Sequence, residues 1–182
     1  MIHSAKNDLF ICNLPLNFIP LEIQNKYYDY INRLPNPIKN VNDFVSATIQ
    51  GINLPVPFQM EEPSQNQKGI ETSFRSSAPW QALPEKTFSI TFKLVEGYVN
   101  WFILKETFEW FYDFKNRSKF HLDLIVYTTD FEGNIIMQVI FKQVLIKSIG
   151  NLTLNYSDNL QQFKTFDLEC KYNQIETNLV FD

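Results

Sequence analysis

Glycine is scarce in this chain, with five in 182 residues, and histidine and cysteine are scarcer still, with two each. His3 and His121 alone leave little from which to build a catalytic triad or a metal site. Cys12 and Cys170 have no second cysteine or histidine at ligand spacing, so a disulfide scaffold and a zinc finger are excluded and both read as core thiols. No phosphate-cradling glycine loop, Gly-x-Ser-x-Gly elbow or His-Glu-x-x-His helix occurs. Asp167 and Glu169 are two apart on an alternating segment, but a general acid also needs a pocket that shifts its pKa, and strand carboxylates are ordinarily solvated. The expectation is a protein that is not an enzyme, with no cofactor and no metal. Apolar runs such as residues 135–141 are interrupted by Gln138 and are far too short to span a membrane. The first ten residues carry His3, Lys6 and Asp8 in place of the apolar stretch of a signal peptide, so no membrane partner and synthesis in a cytoplasm are expected. A net charge of −4 gives no basic footprint for gripping nucleic acid.

What the chain does have is aromatic side chains, 17 Phe and 8 Tyr, which suit a pleated, half-buried surface and favour sheet. Its length fits one domain over residues 1–182. Residues 9–12 form a short apolar run suited to an edge strand. Within an N-terminal helical insertion at 15–40, Pro20 opens a helix over 21–34 with Ile23, Tyr27, Tyr30, Ile31 and Leu34 on one face, and Pro35 and Pro37 close it. Residues 43–49 alternate through Val45, Ala47 and Ile49 and predict a strand. Residues 53–85, with Pro55, Pro57, Pro63, Pro79 and Pro84, read as one long connection, the kind that is functional when it occurs inside a compact domain.

The second half is more regular. Residues 87–96 place Phe88, Ile90, Phe92 and Leu94 on one side and Thr87, Ser89, Thr91 and Lys93 on the other, a strand period. Residues 98–114 switch to helical spacing, with Trp101, Leu104, Phe108 and Phe111 as the expected core stripe. Strands over 120–128 and 135–149 meet through a Gly-containing hairpin, and the longer one is expected to bend near Gln143. Residues 163–175 alternate again, with Phe166, Leu168, Cys170 and Tyr172 opposite Thr165, Asp167, Glu169 and Lys171. The fold class is mainly β with α: an antiparallel sandwich or barrel, one face covered by an amphipathic helix and the other wet, plus the extra N-terminal helix.

The strand beginning Thr87-Phe88-Ser89-Ile90, followed by Asn100-Trp101-Phe102 and then Trp110, resembles the tail tube proteins of contractile-tailed bacteriophages. The likeness continues through Ile140-Phe141-Lys142-Gln143-Val144, Ile149-Gly150-Asn151 and the closing strand from Phe163 to Tyr172, with 47–54 resembling the lead into a stacking loop. Gln143 stands where the family commonly has an acidic residue, and the helix around Tyr27 is additional, departures that leave open a specialised relative such as a ring or adaptor protein. The resemblance implies homo-oligomeric rings, usually hexamers, that stack with other phage tail proteins around a channel for transient, non-specific passage of DNA. It also implies a place in the virion tail after assembly in the bacterial cytoplasm. On that footing Thr87, Ser89, Thr91 and Lys93, or else Thr165, Asp167, Glu169 and Lys171, line or flank the lumen, and Phe58, Phe74 and Trp80 in the long connection anchor a neighbouring subunit. A secretion-system tube protein implies the same fold. The contrasting reading is a β-sandwich module that displays Trp80, Trp101 or Trp110 to a carbohydrate or peptide.

Overall fold

The computed structural model describes residues 9–34, 38, 40–55, 64–67, 70–73, 86–116, 122–152 and 164–180. In chain order the elements are strand β1 (Phe10–Asn13), helix α1 (Leu21–Arg33), helix α2 (Val41–Ser46) and strands β2 (Ile49–Asn53), β3 (Ser64–Gln67), β4 (Ile70–Ser73) and β5 (Thr87–Lys93). A short 3-10 turn (Glu96–Tyr98) then leads into helix α3 (Val99–Tyr112), followed by strands β6 (Leu122–Thr129), β7 (Ile135–Ile149), β8 (Thr165–Lys171) and β9 (Gln174–Leu179). Every strand pairing is antiparallel. No helix among the described residues is long and apolar enough to cross a membrane.

The principal sheet has seven strands in the order β1-β6-β7-β8-β5-β2, with β9 also paired to β7. Its geometry turns on β7, which is long enough to serve two leaves. The first part of β7 pairs with β6 and β9, and the last part pairs with β8. Between them Gln143 takes a left-handed φ of 54°, and the buried positions change from the odd residues Val139 and Phe141 to the even residues Val144 and Ile146. The extra residue is a β-bulge, which bends the strand and reverses which side chains face inward. Hydrogen bonds hold the corner: the Gln143 amide donates to Asp123 Oδ1 at 3.0 Å, the Asn173 amide to the Lys142 carbonyl at 3.0 Å, and Asn173 Nδ2 to Gln143 Oε1 at 2.7 Å. Tyr172 and Asn173 are also where β8 gives way to β9, so both long strands turn at one place.

The inner side of the bent sheet is apolar. Phe88 stacks on Phe141 at 4.2 Å between ring centroids, Tyr172 meets Phe141 edge-on at 5.3 Å, and Phe92 stacks on Phe166 at 5.4 Å. Three helices contribute to the cover rather than one. Buried residues come from α1 (Ile23, Ile31), α2 (Val41, Phe44, Val45) and α3 (Val99, Ile103, Leu104, Phe111). The N-terminal helix runs opposite to α3, since Glu22 meets Trp110 while Lys26 and Tyr27 meet Glu106.

Residues 43–49 correct the expectation of a strand. They divide among α2, which ends at Ser46, a turn at Ala47 and Thr48, and the first residue of β2. Asn40 caps the helix, its side chain accepting from the Asn42 amide at 2.8 Å, and Val41, Phe44 and Val45 bury at helical spacing. The strand begins later, at Ile49. Within the stretch 53–85, read as one connection, β3 and β4 make a two-stranded ribbon in register from Ser64 opposite Ser73 to Gln67 opposite Ile70.

Asn100 fastens the start of α3 to the sheet. It is completely buried; Nδ2 donates to the Lys93 carbonyl at 2.7 Å and to Thr48 Oγ1 at 3.1 Å, and Oδ1 accepts from the Val95 amide at 3.3 Å. The turn preceding it needs Gly97, at φ 76° and packed near the Tyr30 hydroxyl, and it also places Tyr98 in the left-handed region. Sharp reversal from β5 into α3 is thus held by a glycine and one buried amide.

Candidate functional site

The two rows of residues read from the sequence as alternative lumen linings are neighbours on one surface. Strands β5 and β8 pair so that Thr87 lies opposite Lys171, Ser89 opposite Glu169, Thr91 opposite Asp167 and Lys93 opposite Thr165. Residues directly opposite in a ladder share a face, so all eight point away from the core formed by Phe88, Ile90, Phe92, Phe166, Leu168 and Cys170. The structure widens this polar surface with residues that strand alternation did not single out. Asn53 of β2 lies opposite Ser89, and Lys147 and Ser148 of β7 reach Glu169.

The surface is cross-linked by its own polar groups. Thr91 Oγ1 donates to Asp167 Oδ1 at 2.6 Å, Lys147 Nζ to Glu169 Oε1 at 2.7 Å, and Ser148 Oγ to Glu169 Oε2 at 3.0 Å. The Lys147 ammonium, followed by the Ser148 hydroxyl, holds the Glu169 carboxyl below the usual glutamate range. A depressed folded-state pKa stabilises the protein above the unfolded value and is lost as pH falls through the lower, folded value. Lys147→Ala is therefore expected to raise the Glu169 midpoint towards that of a free glutamate in an NMR carboxyl titration; an unchanged midpoint would show that the pair does not form. Both signs of charge are interleaved here, with Lys93, Lys147 and Lys171 among Asp167 and Glu169.

Sheet margins are treated unequally. Beyond the Leu122–Val144 pair, no described strand lies on the β6 side of β7. There α3 supplies side-chain donors: the Tyr112 hydroxyl to the Ile146 carbonyl at 3.0 Å and the Trp101 indole to the Gly150 carbonyl at 3.0 Å. The outer margins of β1, β2 and β9 have no strand partner among the described residues. Exposed ladder edges are templates for pairing with another chain.

On α3 the deepest line runs through Asn100, Ile103, Leu104, Thr107 and Phe111, while Trp101 and Phe108 are half-buried beside it. Trp101 and Trp110 each spend the indole N–H inside the chain, on Gly150 and on Glu22 Oε2. Neither is a bare aromatic platform of the kind a glycan-binding face presents. Phe58, Phe74 and Trp80 lie outside the described residues. Burial pushes the Cys12 thiol up to about 12 and raises that of Cys170 as well, which suits inert core packing.

No protein-family model and no curated protein matches the sequence. Solved structures do match. A chain of the anti-feeding prophage baseplate aligns over 98% of this chain and 97% of its own, with a TM-score of 0.54 at 11% identity. The fold is that of contractile injection system components. A chain of the sheath–tube complex of an extracellular contractile injection system, in the extended state, aligns over 98% of this chain and 93% of its own with a TM-score of 0.56 at 8% identity. A chain of the anti-feeding prophage cap, described as terminating the tube, aligns over 99% and 94% with a TM-score of 0.51 at 8% identity.

Proposed function

We propose that this chain is a structural subunit of a contractile tail or injection-system tube, assembling with copies of itself into a ring whose polar sheet face borders an axial channel. The observation that supports the reading is the pairing of a hydrophilic face across β5 and β8 with strand margins that have no strand partner among the described residues. Copies joined edge to edge extend the sheet around the axis, and closing the circle removes the exposed margins. Thr87, Ser89, Thr91, Lys93, Thr165, Asp167, Glu169 and Lys171 then line the channel. Interleaved charges suit a conduit for a polyanion such as DNA, because a surface without a dense lysine or arginine array releases few counterions and does not hold the strand. The neighbouring subunits are six copies to a ring, and other tail proteins sit above and below, with Phe58, Phe74 and Trp80 anchoring the contact between rings.

Mass photometry and negative-stain microscopy of the purified chain test this directly. Rings or stacked tubes at micromolar concentration are expected. A monomer that persists at high concentration, with or without a purified tail partner, overturns the assignment.

A further inference from the structure

The hydrophilic leaf ends at β2 on one side and at the last part of β7 on the other. The two ends are finished differently. Strand β2 has no strand partner on its outer side among the described residues, whereas the β7 end is met by helix α3. Trp101 and Tyr112 are eleven residues apart, about three turns of helix, so both look out from the same face of α3. Their targets, the Gly150 and Ile146 carbonyls, are four strand residues apart, about 13 Å, against about 16 Å between the two donors along the helix. Helix α3 therefore lies alongside the β7 margin, its start beside the end of the strand.

Both contacts stand where a neighbouring strand would. A ladder N–H meets its carbonyl at about 2.9–3.0 Å. The Tyr112 hydroxyl and the Trp101 indole meet theirs at 3.0 Å. A paired strand runs about 4.8 Å from its neighbour, a space that the two donor rings already enter, so side-chain contact and strand pairing exclude one another here. The rings are braced in place. Tyr112 packs on Phe108 at 4.4 Å between centroids, Trp101 meets Phe102 edge-on at 5.2 Å, and the buried Asn100 amide ties the start of the helix to Lys93 and Thr48.

We propose that Trp101 and Tyr112 form a latch that shuts the β7 margin in the lone chain and so restrains strand pairing with a second copy. Covering an edge with a helix is one of the ways in which sheet proteins avoid unwanted pairing. The latch is reversible, because both donors are side chains and swing away without breaking a backbone bond. Growth of the hydrophilic leaf past β7 requires them to let go. The inference rests on the self-assembly reading above and says what holds that assembly back.

Sedimentation velocity of the full chain over a range of concentrations tests the latch. Tyr112→Phe removes one oxygen at a position 45% exposed, and Trp101→Phe with Tyr112→Phe removes both donors. Each lost bond is expected to favour association by about threefold, so the concentration at which half of the chains associate falls by about threefold in the single variant and about tenfold in the double. Thr107→Val is the control: it breaks a hydroxyl bond within the same helix without touching the margin, and it is expected to leave the midpoint where it is. Circular dichroism checks that each variant is folded, and should the double variant unfold, the single variant decides. A shift towards lower concentration in the latch variants alone supports the proposal, as does a double variant that associates where the wild type stays monomeric. Latch variants that associate like the wild type, or a Thr107→Val shift as large as theirs, overturn the latch and leave self-assembly standing. Wild type and latch variants that are all monomeric at every concentration overturn the self-assembly reading, and the latch with it.

Discussion

Replacing Asn100 by leucine is expected to lower the free energy of unfolding by about 4 kcal/mol, close to a thousandfold in the folding equilibrium. The side chain is fully buried and serves three groups: the Val95 amide and the Lys93 carbonyl, both partly buried, and the buried Thr48 hydroxyl, which itself donates to the Val45 carbonyl. Each buried polar group left without a partner costs about 1–3 kcal/mol, and leucine offers no hydrogen bond to any of them. A domain of this size has about 5–15 kcal/mol in all, so the variant sits near the limit of folding. Thr107→Val is the control. Thr107 is equally buried, but its hydroxyl only returns to the Ile103 carbonyl of its own helix, and its loss is expected to cost less than about 1 kcal/mol. Urea unfolding of the two variants separates the cases; equal losses would remove Asn100 from its place as the fastening of α3.

Phe141→Ala is expected to cost about 3–5 kcal/mol from lost burial and the cavity left behind, with its ring contacts to Phe88 and Tyr172 placing it at the upper end. Phe141 is fully buried just before the bend in β7, where the two leaves of the sheet share one core. Phe108→Ala, at a half-buried position in contact with Tyr112, is expected to cost less than half as much. Thermal or urea unfolding would show the difference, and a Phe108 loss as large as that of Phe141 would shift the buried line of α3.

The strands most readable in the sequence were those with one dry and one wet side. Alternation in β5 and β8 is strict, and the same alternation gives their shared polar face. The bend at Gln143 was also legible, because a segment of fifteen residues exceeds what one flat strand usually needs. Residues 43–49 misled because Val45 and Ile49 fit a period of two, whereas Val41, Phe44 and Val45 fit a helical period whose cap, Asn40, lay just outside the stretch considered. Strand β9 has no fully buried residue and so no alternation to mark it; its position comes from pairing with β7, a partner more than thirty residues away. Helix α3 is apolar on more than one side, so spacing identified the helix more easily than it identified the face, and the stripe drawn through Trp101, Leu104, Phe108 and Phe111 shares only Leu104 and Phe111 with the deepest line.

The corner in β7 has a mechanical consequence. Two stacked leaves held only by side-chain packing can shear past one another under thrust, but here a single polypeptide spine passes through both. A load arriving at the hairpin end travels to the hydrophilic leaf along covalent bonds, braced where Asp123, Gln143 and Asn173 lock the elbow. The leaves must therefore yield as one body.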